Sequence, residues 1–190
     1  MNTKHILTIT GPSGAGKDTA AKILSELTGF PILCSYTTRP KRDGEMNGKE
    51  HFFVKSCDVP QRAILAYTQY GGYEYWTCLD QIKDYAIYVI DEGGLQCLAN
   101  YKEIYLAKLY IYADSHARAC RNVKDDRIDR DRFRPALSTS FYDSIITNNG
   151  SIEELKKELE RFVNLYCFGD YFTMNHKVIG DDETKWYNLE

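Results

Sequence analysis

Hydrophobic residues in the first part of the chain are spaced as in a buried strand followed by a helix. HILTIT, residues 5–10, is a short apolar run of the kind that forms a buried strand. PILC, residues 31–34, predicts a second strand. Between them a helix is predicted from Lys17 to about Thr28. Its apolar stripe consists of Ala20, Ile23, Leu24 and Leu27.

The stretch from residue 35 to about residue 80 interrupts this alternation. It is polar and charged up to Glu50, and aromatic-rich runs follow. Gly71 and Gly72 separate two of these runs, which predicts a hairpin. The interruption therefore predicts a lobe inserted into the main sheet.

Three later apolar runs predict the rest of the sheet. AIYVID, residues 86–91, is continuous up to Asp91 and is typical of a central parallel strand covered on both faces. Residues 105–113 and 143–148 predict two more strands. Strands that alternate with helices indicate an α/β fold with a mostly parallel sheet.

The last strong pattern is an amphipathic helix over residues 151–166. Ser151 stands in front of it as a capping residue, and Glu154 follows three positions later. This arrangement predicts a capping box, in which each residue's side chain bonds the other's backbone.

The composition is that of an ordinary globular protein and excludes several classes. The 190 residues are 43% hydrophobic and 27% charged, within reach of one domain. A formal net charge of -3 argues against broad nucleic-acid binding. No apolar run approaches the roughly 20 residues that cross a bilayer, and MNTKHILTIT leaves no room for a signal peptide. With six scattered cysteines and no CxxC pair, we expect a cytoplasmic protein with reduced thiols and no membrane partner.

The loop GPSGAGKDT, residues 11–19, nearly matches a phosphate-binding pattern of Gly, four residues, Gly, Lys and then Ser or Thr. Glycines let backbone N–H groups turn toward phosphate oxygens, and the helix N-terminus adds positive charge. Lys17 adds a full charge on the transferred group, a catalytic role. The predicted ATP-binding residues are Gly11, Pro12, Ser13, Gly14, Ala15, Gly16, Lys17, Asp18 and Thr19.

Asp18 departs from the pattern because it stands where a magnesium-binding hydroxyl is expected. One interpretation is structural, since an acid in the first turn stabilises a helix by about 0.3–1 kcal/mol. The other is that its carboxylate binds Mg²⁺ directly or through water. Repulsion between Asp18 and bare phosphates favours the metal ligand, with Thr19 contacting a phosphate.

The segment SYTTRPKRDGEMNGKEHFFV, residues 35–54, resembles the signature of guanylate kinases. The resemblance continues in the family's order through GGYEYWT, AIYVID and FYDSIITNNGSIEEL and covers roughly residues 4–165. It implies a P-loop NTP hydrolase-type fold, with ATP and Mg²⁺. It also implies a cluster that binds the acceptor phosphate, where arginine forks suit phosphate oxygens; a solvated basic loop is the alternative. The cluster consists of Ser35, Arg39, Arg42 and Tyr75.

The resemblance further implies an acid near the acceptor nucleotide and a lid over ATP. Asp91 matches the acid, and capping of the following helix is the alternative. Residues 118–134 resemble the lid, although a charged surface helix also explains part of this segment. The arginines that match the lid's phosphate-binding pair are Arg121 and Arg132, with Arg127 and Arg130 as substitutes.

Three departures from the family concern the acceptor. Ala66 stands where the family has a glutamate that binds the guanine edge, and His51 where it has a phosphate-binding tyrosine. Val89 stands where a second acid is expected. Thr77, at the other base-binding position, is retained. We therefore expect phosphate binding to be nearly complete and base selection partly lost, with Glu74 as an acid able to compensate.

These observations predict one guanylate-kinase-like domain over residues 1–190, a monomer or homodimer. Its parts are a core (1–34, 86–117 and 135–168), a lobe for the nucleoside monophosphate (35–85), a lid (118–134) and an unplaced tail (169–190).

The predicted activity is transfer of a phosphoryl group from ATP to GMP or dGMP, with relaxed base selectivity. The alternative is a sugar-phosphate kinase like the ribose bisphosphate phosphokinase relatives, which also carry a Gly-Lys-Asp loop and bind no guanine. Asp18 and Ala66 favour that alternative, whereas residues 35–54 favour the first. A non-catalytic interaction module of guanylate kinase type is least favoured, because such modules usually have degraded phosphate loops.

Overall fold

The structure is a computed structural model, and it describes residues 4–121, 131 and 137–166. Eight strands and four α-helices lie within these ranges. In chain order they are β1 (Lys4–Thr10), α1 (Lys17–Thr28), β2 (Tyr36–Thr37), β3 (Phe52–Phe53), β4 (Ile64–Tyr70), β5 (Tyr73–Cys78), β6 (Tyr85–Val89), α2 (Glu92–Leu98), β7 (Ile104–Tyr112), α3 (Ser115–Cys120), β8 (Ser144–Thr147) and α4 (Ile152–Tyr166).

The main sheet contains four parallel strands in the order β6-β1-β7-β8. Strand β1 lies inside it and pairs with both β6 and β7. Its residues Ile6, Leu7 and Ile9 are at most 2% exposed, because layers cover both faces of the sheet. The predicted α/β fold with a mostly parallel sheet is confirmed.

Two predictions about strands are wrong. Among the described strands, β6 lies at the end of the sheet and is not central. On its outer side Ile32 pairs with Ile87 through an isolated bridge, so residues 31–34 do not form a strand. Pro31 has no N–H to donate. The bridge consists of two hydrogen bonds: the Ile87 N–H donates to the Pro31 carbonyl, and the Leu33 N–H donates to the Ile87 carbonyl. The predicted cover on both faces of β6 is confirmed, because its residues belong to the cores on both sides.

Different layers cover the two faces of the main sheet. Helices α1 and α4 pack on one face, where Leu24 and Phe162 are buried. Helix α2 and strand β4 cover the other face, where Leu65 and Leu95 are buried. Each such side chain contributes about 1.5–3 kcal/mol on burial. The loops that follow β1 and β6 then lie at the carboxyl edge of the sheet, where α/β folds bind ligands.

Local sequence sets the ends of the two long helices. Helix α1 starts after Gly16 and ends before Gly29, whose φ of 72° gives a left-handed cap. At the start of α4, Ser151 Oγ accepts the Glu154 N–H at 3.2 Å, and Glu154 Oε2 accepts the Ser151 N–H at 2.8 Å. The predicted capping box is confirmed.

A second sheet, of order β3-β2-β5-β4, forms between residues 36 and 78. The hairpin predicted at Gly71 and Gly72 joins β4 to β5, and both glycines have positive φ, 60° and 78°. This sheet falls within the predicted lobe, residues 35–85. The division of the chain into core, lobe and lid stays a prediction.

Part of the predicted lid and the tail, residues 169–190, lie outside the described residues, as do Arg127, Arg130 and Arg132. Among the described helices, none combines the length and the apolar character needed to span a bilayer.

Candidate active site

The loop between β1 and α1 is shaped by its glycines. Gly11, Gly14 and Gly16 have φ values of 139°, 76° and 96°. A Cβ on Gly11 would lie 2.1 Å from the carbonyl oxygen of Ile111, and a Cβ on Gly16 would lie 2.4 Å from Asn148 Nδ2. Space and backbone conformation therefore both require glycine at these two positions, and the loop is fixed against β7 and the end of β8.

Donors and positive charges converge on this loop. The Ser13 N–H donates to Asp131 Oδ2 at 2.8 Å, and the Ser13 hydroxyl donates to Asp131 Oδ1 at 3.0 Å. Arg118 Nη1 lies 3.5 Å from the same Oδ2. The Lys17 ammonium donates to the Pro12 carbonyl at 2.9 Å, across the loop. The loop thus already binds one anionic group, and its donors are those that a polyphosphate needs.

Arg121 reaches the loop from the end of α3. Its Nη1 donates to the Gly14 carbonyl at 3.0 Å, and its Nη2 donates to the Asn148 carbonyl at 2.8 Å. Asn148 is 6% exposed and donates through Nδ2 to the Ala15 carbonyl at 2.8 Å. The structure therefore places Arg121 at the predicted ATP site, while its catalytic role stays a prediction. Asn148 lies within the motif FYDSIITNNGSIEEL, but the motif alone predicts no role for it.

Asp18 and Thr19 are exposed in the first turn of α1. Burial lowers the pKa of His51, the residue just before β3. The negative charge of Asp18 is one of the smaller effects that raise this pKa. One exposed carboxylate beside a phosphate loop fits Mg²⁺, which takes phosphate and water oxygens as its other ligands. No group of three or more His, Cys, Asp and Glu residues in the described ranges forms a cage for a metal.

Arg39 is 6% exposed and its guanidinium plane is fixed by neighbours. Its Nη1 and Nη2 donate to Glu45 Oε2 and Oε1 at 3.0 and 2.9 Å, and Nη1 also donates to the Pro40 carbonyl at 2.8 Å. Its Cζ lies 5.3 Å from the centre of the Phe53 ring. Burial alone would raise the pKa of Glu45, but hydrogen bonds from Arg39 and the Arg42 N–H lower it. An ionised Glu45 therefore holds Arg39 in place.

Ser35, His51 and Tyr75 lie beside Arg39. Ser35 Oγ and His51 Nδ1 are 2.8 Å apart, in hydrogen-bond contact. The rings of His51 and Tyr75 meet edge to face, with centroids 5.8 Å apart. Burial lowers the pKa of His51, and the charge of Arg39 lowers it further, so the imidazole is neutral at neutral pH. The structure thus brings together the residues predicted to bind the acceptor phosphate, with half-buried Arg42 bonded to Glu45 through its N–H.

Asp91 fits both interpretations that the sequence left open. Its Oδ1 accepts the Gly94 N–H at 2.8 Å and caps α2. Its Oδ2 accepts the hydroxyl of Thr68 at 2.8 Å, which joins the main sheet to the second sheet. Asp91 also lines a pocket whose other walls include Ser35 and His51.

Ala66 and Tyr88 line the same pocket. Ala66 pairs with Thr77 between β4 and β5, and the Thr77 hydroxyl donates to the Tyr88 hydroxyl oxygen at 3.2 Å. Side chains alternate along a strand, so Glu74 lies on the face of β5 opposite to Thr77. Its carboxylate accepts the Tyr67 hydroxyl at 2.6 Å. The expectation that Glu74 compensates for the missing glutamate is therefore wrong.

Sequence reasoning missed three residues of this pocket or its support. Tyr88 stands inside an apolar run and Thr68 inside an aromatic-rich one, and both patterns predict only strand residues. Glu45 was part of the quoted signature but had no role. The available signal for Tyr88 was a hydroxyl within a run predicted to be fully buried, since such a group needs a hydrogen-bond partner.

The chain is similar to known proteins in sequence and in fold. A sequence profile of the family described as "Guanylate kinase" matches residues 3–166. The guanylate kinase of Clostridium tetani is 34% identical over 114 residues, covering 54% of this chain and 55% of that protein. The guanylate kinase of Fusobacterium nucleatum is 26% identical over 180 residues, covering 84% and 95%. The chain thus spans about half the length of the first relative and nearly all of the second.

A crystal structure of guanylate kinase from Anaplasma phagocytophilum shares the fold with a TM-score of 0.61. It is 19% identical, and the match covers 90% of each chain. This similarity extends the observed α/β architecture to the P-loop kinase fold. Because the family profile spans most of the sequence, the chain belongs to the guanylate kinase family, a family of ATP-using phosphotransferases.

Proposed function

We propose that this protein transfers the γ-phosphoryl group of ATP to GMP or dGMP, giving ADP and GDP or dGDP. The observation that supports this most directly is the presence of two clusters of phosphate-binding side chains, one beside each sheet. One is the loop of residues 11–19 with Lys17 and Arg121. The other is the cluster around Arg39. A donor polyphosphate and an acceptor monophosphate are the pair of substrates that such a layout suits.

The chemistry needs no side-chain nucleophile. An oxygen of the acceptor phosphate attacks the γ-phosphorus, and the bond from that phosphorus to the bridging oxygen of ADP breaks. Catalysis then consists of positioning and charge stabilisation. Arg39, whose orientation is fixed by Glu45, places its positive charge beside the acceptor phosphate, while Ser35, His51 and Tyr75 supply hydrogen bonds. Lys17 and Arg121 stabilise charge on the donor side.

Magnesium, bound together with ATP, would neutralise phosphate charge in this site. Asp18 is the residue that would hold it, directly or through water, because its carboxylate is exposed beside the loop. Without a cation between them, Asp18 and the phosphates would repel each other.

Relaxed base selectivity belongs to the same proposal. A glutamate at position 66 would accept the ring N–H and exocyclic amine of guanine, but Ala66 offers no acceptor, and Glu74 faces the opposite side of β5. The base is then selected without a carboxylate at position 66. This supports weaker discrimination among monophosphates than a charged partner would give.

A coupled assay of ADP release tests the proposal. Purified protein is supplied with ATP, Mg²⁺ and, in turn, GMP, dGMP, AMP, CMP, UMP and a ribose bisphosphate. We expect the highest kcat/KM with GMP or dGMP and measurable turnover with a second nucleotide. Lys17→Met serves as the control for contaminating kinases and should abolish release with every acceptor. Turnover with the sugar phosphate alone would overturn the proposal in favour of a sugar-phosphate kinase.

A further inference from the structure

We propose that Tyr88 is a base-contacting residue that makes the acceptor site select for the 6-oxo group of a purine and leaves the 2-amino group unread. The inference rests on the proposed function, because it names the feature of the acceptor by which that same site chooses. It predicts that IMP, which carries the oxo group without the amine, is an acceptor comparable to GMP.

The position of Tyr88 is the first step. Its side chain is 5% exposed and lines the pocket that also holds Ala66 and Asp91. It comes from the main sheet, whereas Ala66 and Thr77 come from the second sheet. The hydroxyl of Tyr88 therefore lies at the contact between the two sheets, next to the position where the family's guanine-binding glutamate is replaced by alanine.

The direction of hydrogen bonding is the second step. Thr77 Oγ1 donates to the Tyr88 oxygen at 3.2 Å, so the Tyr88 proton points elsewhere. Within the part of the chain that the structure describes, Tyr88 makes no other hydrogen bond. The nearby Asp91 carboxylate already accepts from Gly94 and Thr68. Burial raises the pKa of Tyr88 far above its ordinary value, so the group is a neutral donor at every physiological pH.

A buried donor of fixed direction chooses among bases. Guanine and hypoxanthine present a carbonyl oxygen at position 6, which accepts a hydrogen bond, whereas adenine presents an amino group there, which donates. Adenine in the same orientation would leave two donors facing each other, or would force the Thr77–Tyr88 pair to reverse. An unpaired buried polar group of this kind is what allows strong discrimination.

Ala66 has no side chain beyond Cβ, and the site therefore lacks an acceptor at that position. An acceptor at that position would bind the 2-amino group that guanine has and hypoxanthine lacks. Each oxygen of Asp91 already accepts one hydrogen bond, from the Gly94 N–H and from the Thr68 hydroxyl, so its carboxylate is less available to the 2-amino group than a glutamate at position 66 would be. Glu74 does not supply an acceptor, because it lies on the other face of β5. The site therefore distinguishes oxo from amino at position 6 and does not distinguish GMP from IMP.

The test compares kcat/KM for GMP, IMP and AMP in the natural protein, Tyr88→Phe and Tyr85→Phe. Tyr85→Phe is the matched control, because it removes the same atom from the same strand on the opposite face, where Tyr85 stacks on Phe30. In the natural protein we expect GMP and IMP to agree within about threefold and both to exceed AMP by about tenfold or more. Tyr88→Phe should lower kcat/KM for GMP and IMP together by about tenfold and should not lower it for AMP, because the donor that opposes the adenine amine is gone.

The outcomes separate this inference from the proposed function. Turnover of GMP with rejection of IMP in the natural protein would overturn the inference alone, and that comparison needs no variant to fold. An unchanged ratio of GMP to AMP in a folded Tyr88→Phe protein would overturn it as well. Absence of turnover with all three nucleotides would overturn the proposed function and the inference with it.

Discussion

At the scale of a single residue, Arg39 is the proposed centre of the acceptor-phosphate cluster. Its guanidinium is buried, is bonded at both terminal nitrogens to Glu45 and lies over Phe53. Lysine offers one ammonium group in place of a planar fork, so it cannot make the same pair of parallel bonds. The plane of Arg39, and not only its charge, is therefore expected to matter for phosphate binding.

Arg39→Lys should lower kcat/KM for the acceptor by about 10- to 100-fold, about 1.4–2.8 kcal/mol, and change KM for ATP little. The matched control is Arg62→Lys, an exposed arginine of the same lobe, which should behave like the natural protein. Steady-state kinetics with each substrate varied in turn measures both. Equal effects of the two substitutions would show that only net charge in the lobe matters.

Asp18 is the proposed magnesium ligand. If it is a magnesium ligand, Asp18→Ala should raise the Mg²⁺ concentration needed for half-maximal rate and cut turnover about 100-fold or more. Asp18→Ser, which supplies a hydroxyl, should keep substantial activity. Rates measured across a magnesium titration distinguish the two roles. An Asp18→Ala protein with an unchanged requirement for magnesium would leave only the helix-stabilising role.

His51 makes the stability of the protein depend on pH. Its pKa in the folded protein is lowered from 6.5 by burial and by Arg39, so the unfolded chain takes up the proton first as pH falls. Stability from this group is present above its ordinary pKa and is lost as pH drops below it. We expect the free energy of unfolding, measured by urea at a series of pH values, to fall between about pH 7 and pH 5. His51→Gln should flatten that slope, and an identical slope in the variant would contradict the assignment.

The residues of the phosphate loop could be predicted from the sequence, whereas those of the pocket around Ala66 and Tyr88 could not. The loop is contiguous, and its chemistry requires particular residue types at fixed spacing. Tyr88 and Thr77 meet only because two different sheets approach each other. The opposite orientation of Glu74 likewise depends on the register of β5 against β4, which composition alone does not set.

At the scale of elements, local signals determined the helices better than the strands. Helix α1 has the bounds predicted from its apolar stripe, and α4 begins at its capping box. The order of strands depends on pairing between distant segments, which is why β6 was expected at the centre of the sheet and lies at its end. Pro31 similarly reduced a predicted strand to a single bridge.

The close packing of the loop element on β7 gives a test of stability. Gly11→Ala places a Cβ 2.1 Å from the Ile111 carbonyl oxygen, at a φ of 139°. Because backbone is on both sides of the contact, we expect a loss of about 2–4 kcal/mol in the free energy of unfolding. Gly44→Ala is the matched control, since its φ is also positive but no atom lies within 4 Å of the added Cβ. Urea unfolding of both variants should show a clearly larger loss of unfolding free energy for Gly11→Ala. Equal losses would mean that the positive φ alone, without the clash, excludes other residues at position 11.

At the scale of the whole molecule, the two sheets carry the two ends of the proposed reaction. The main sheet presents the phosphate loop, with Arg121 beside it, and the second sheet presents the cluster around Arg39. Thr68 and Asp91 join the two sheets at the acceptor pocket. The family's α/β fold could be predicted from the order of motifs, whereas this junction could not, because it consists of contacts between segments distant in sequence.

The central claim is that a phosphoryl group passes from ATP to a nucleoside monophosphate between these two sheets. The most direct measurement supplies ATP carrying radioactive phosphorus in its γ position, with GMP and Mg²⁺, and separates the products by chromatography. The account predicts label in GDP at a rate that depends on GMP concentration and is lost in Lys17→Met. Label that remains in ATP, or appears only as free phosphate, would contradict it.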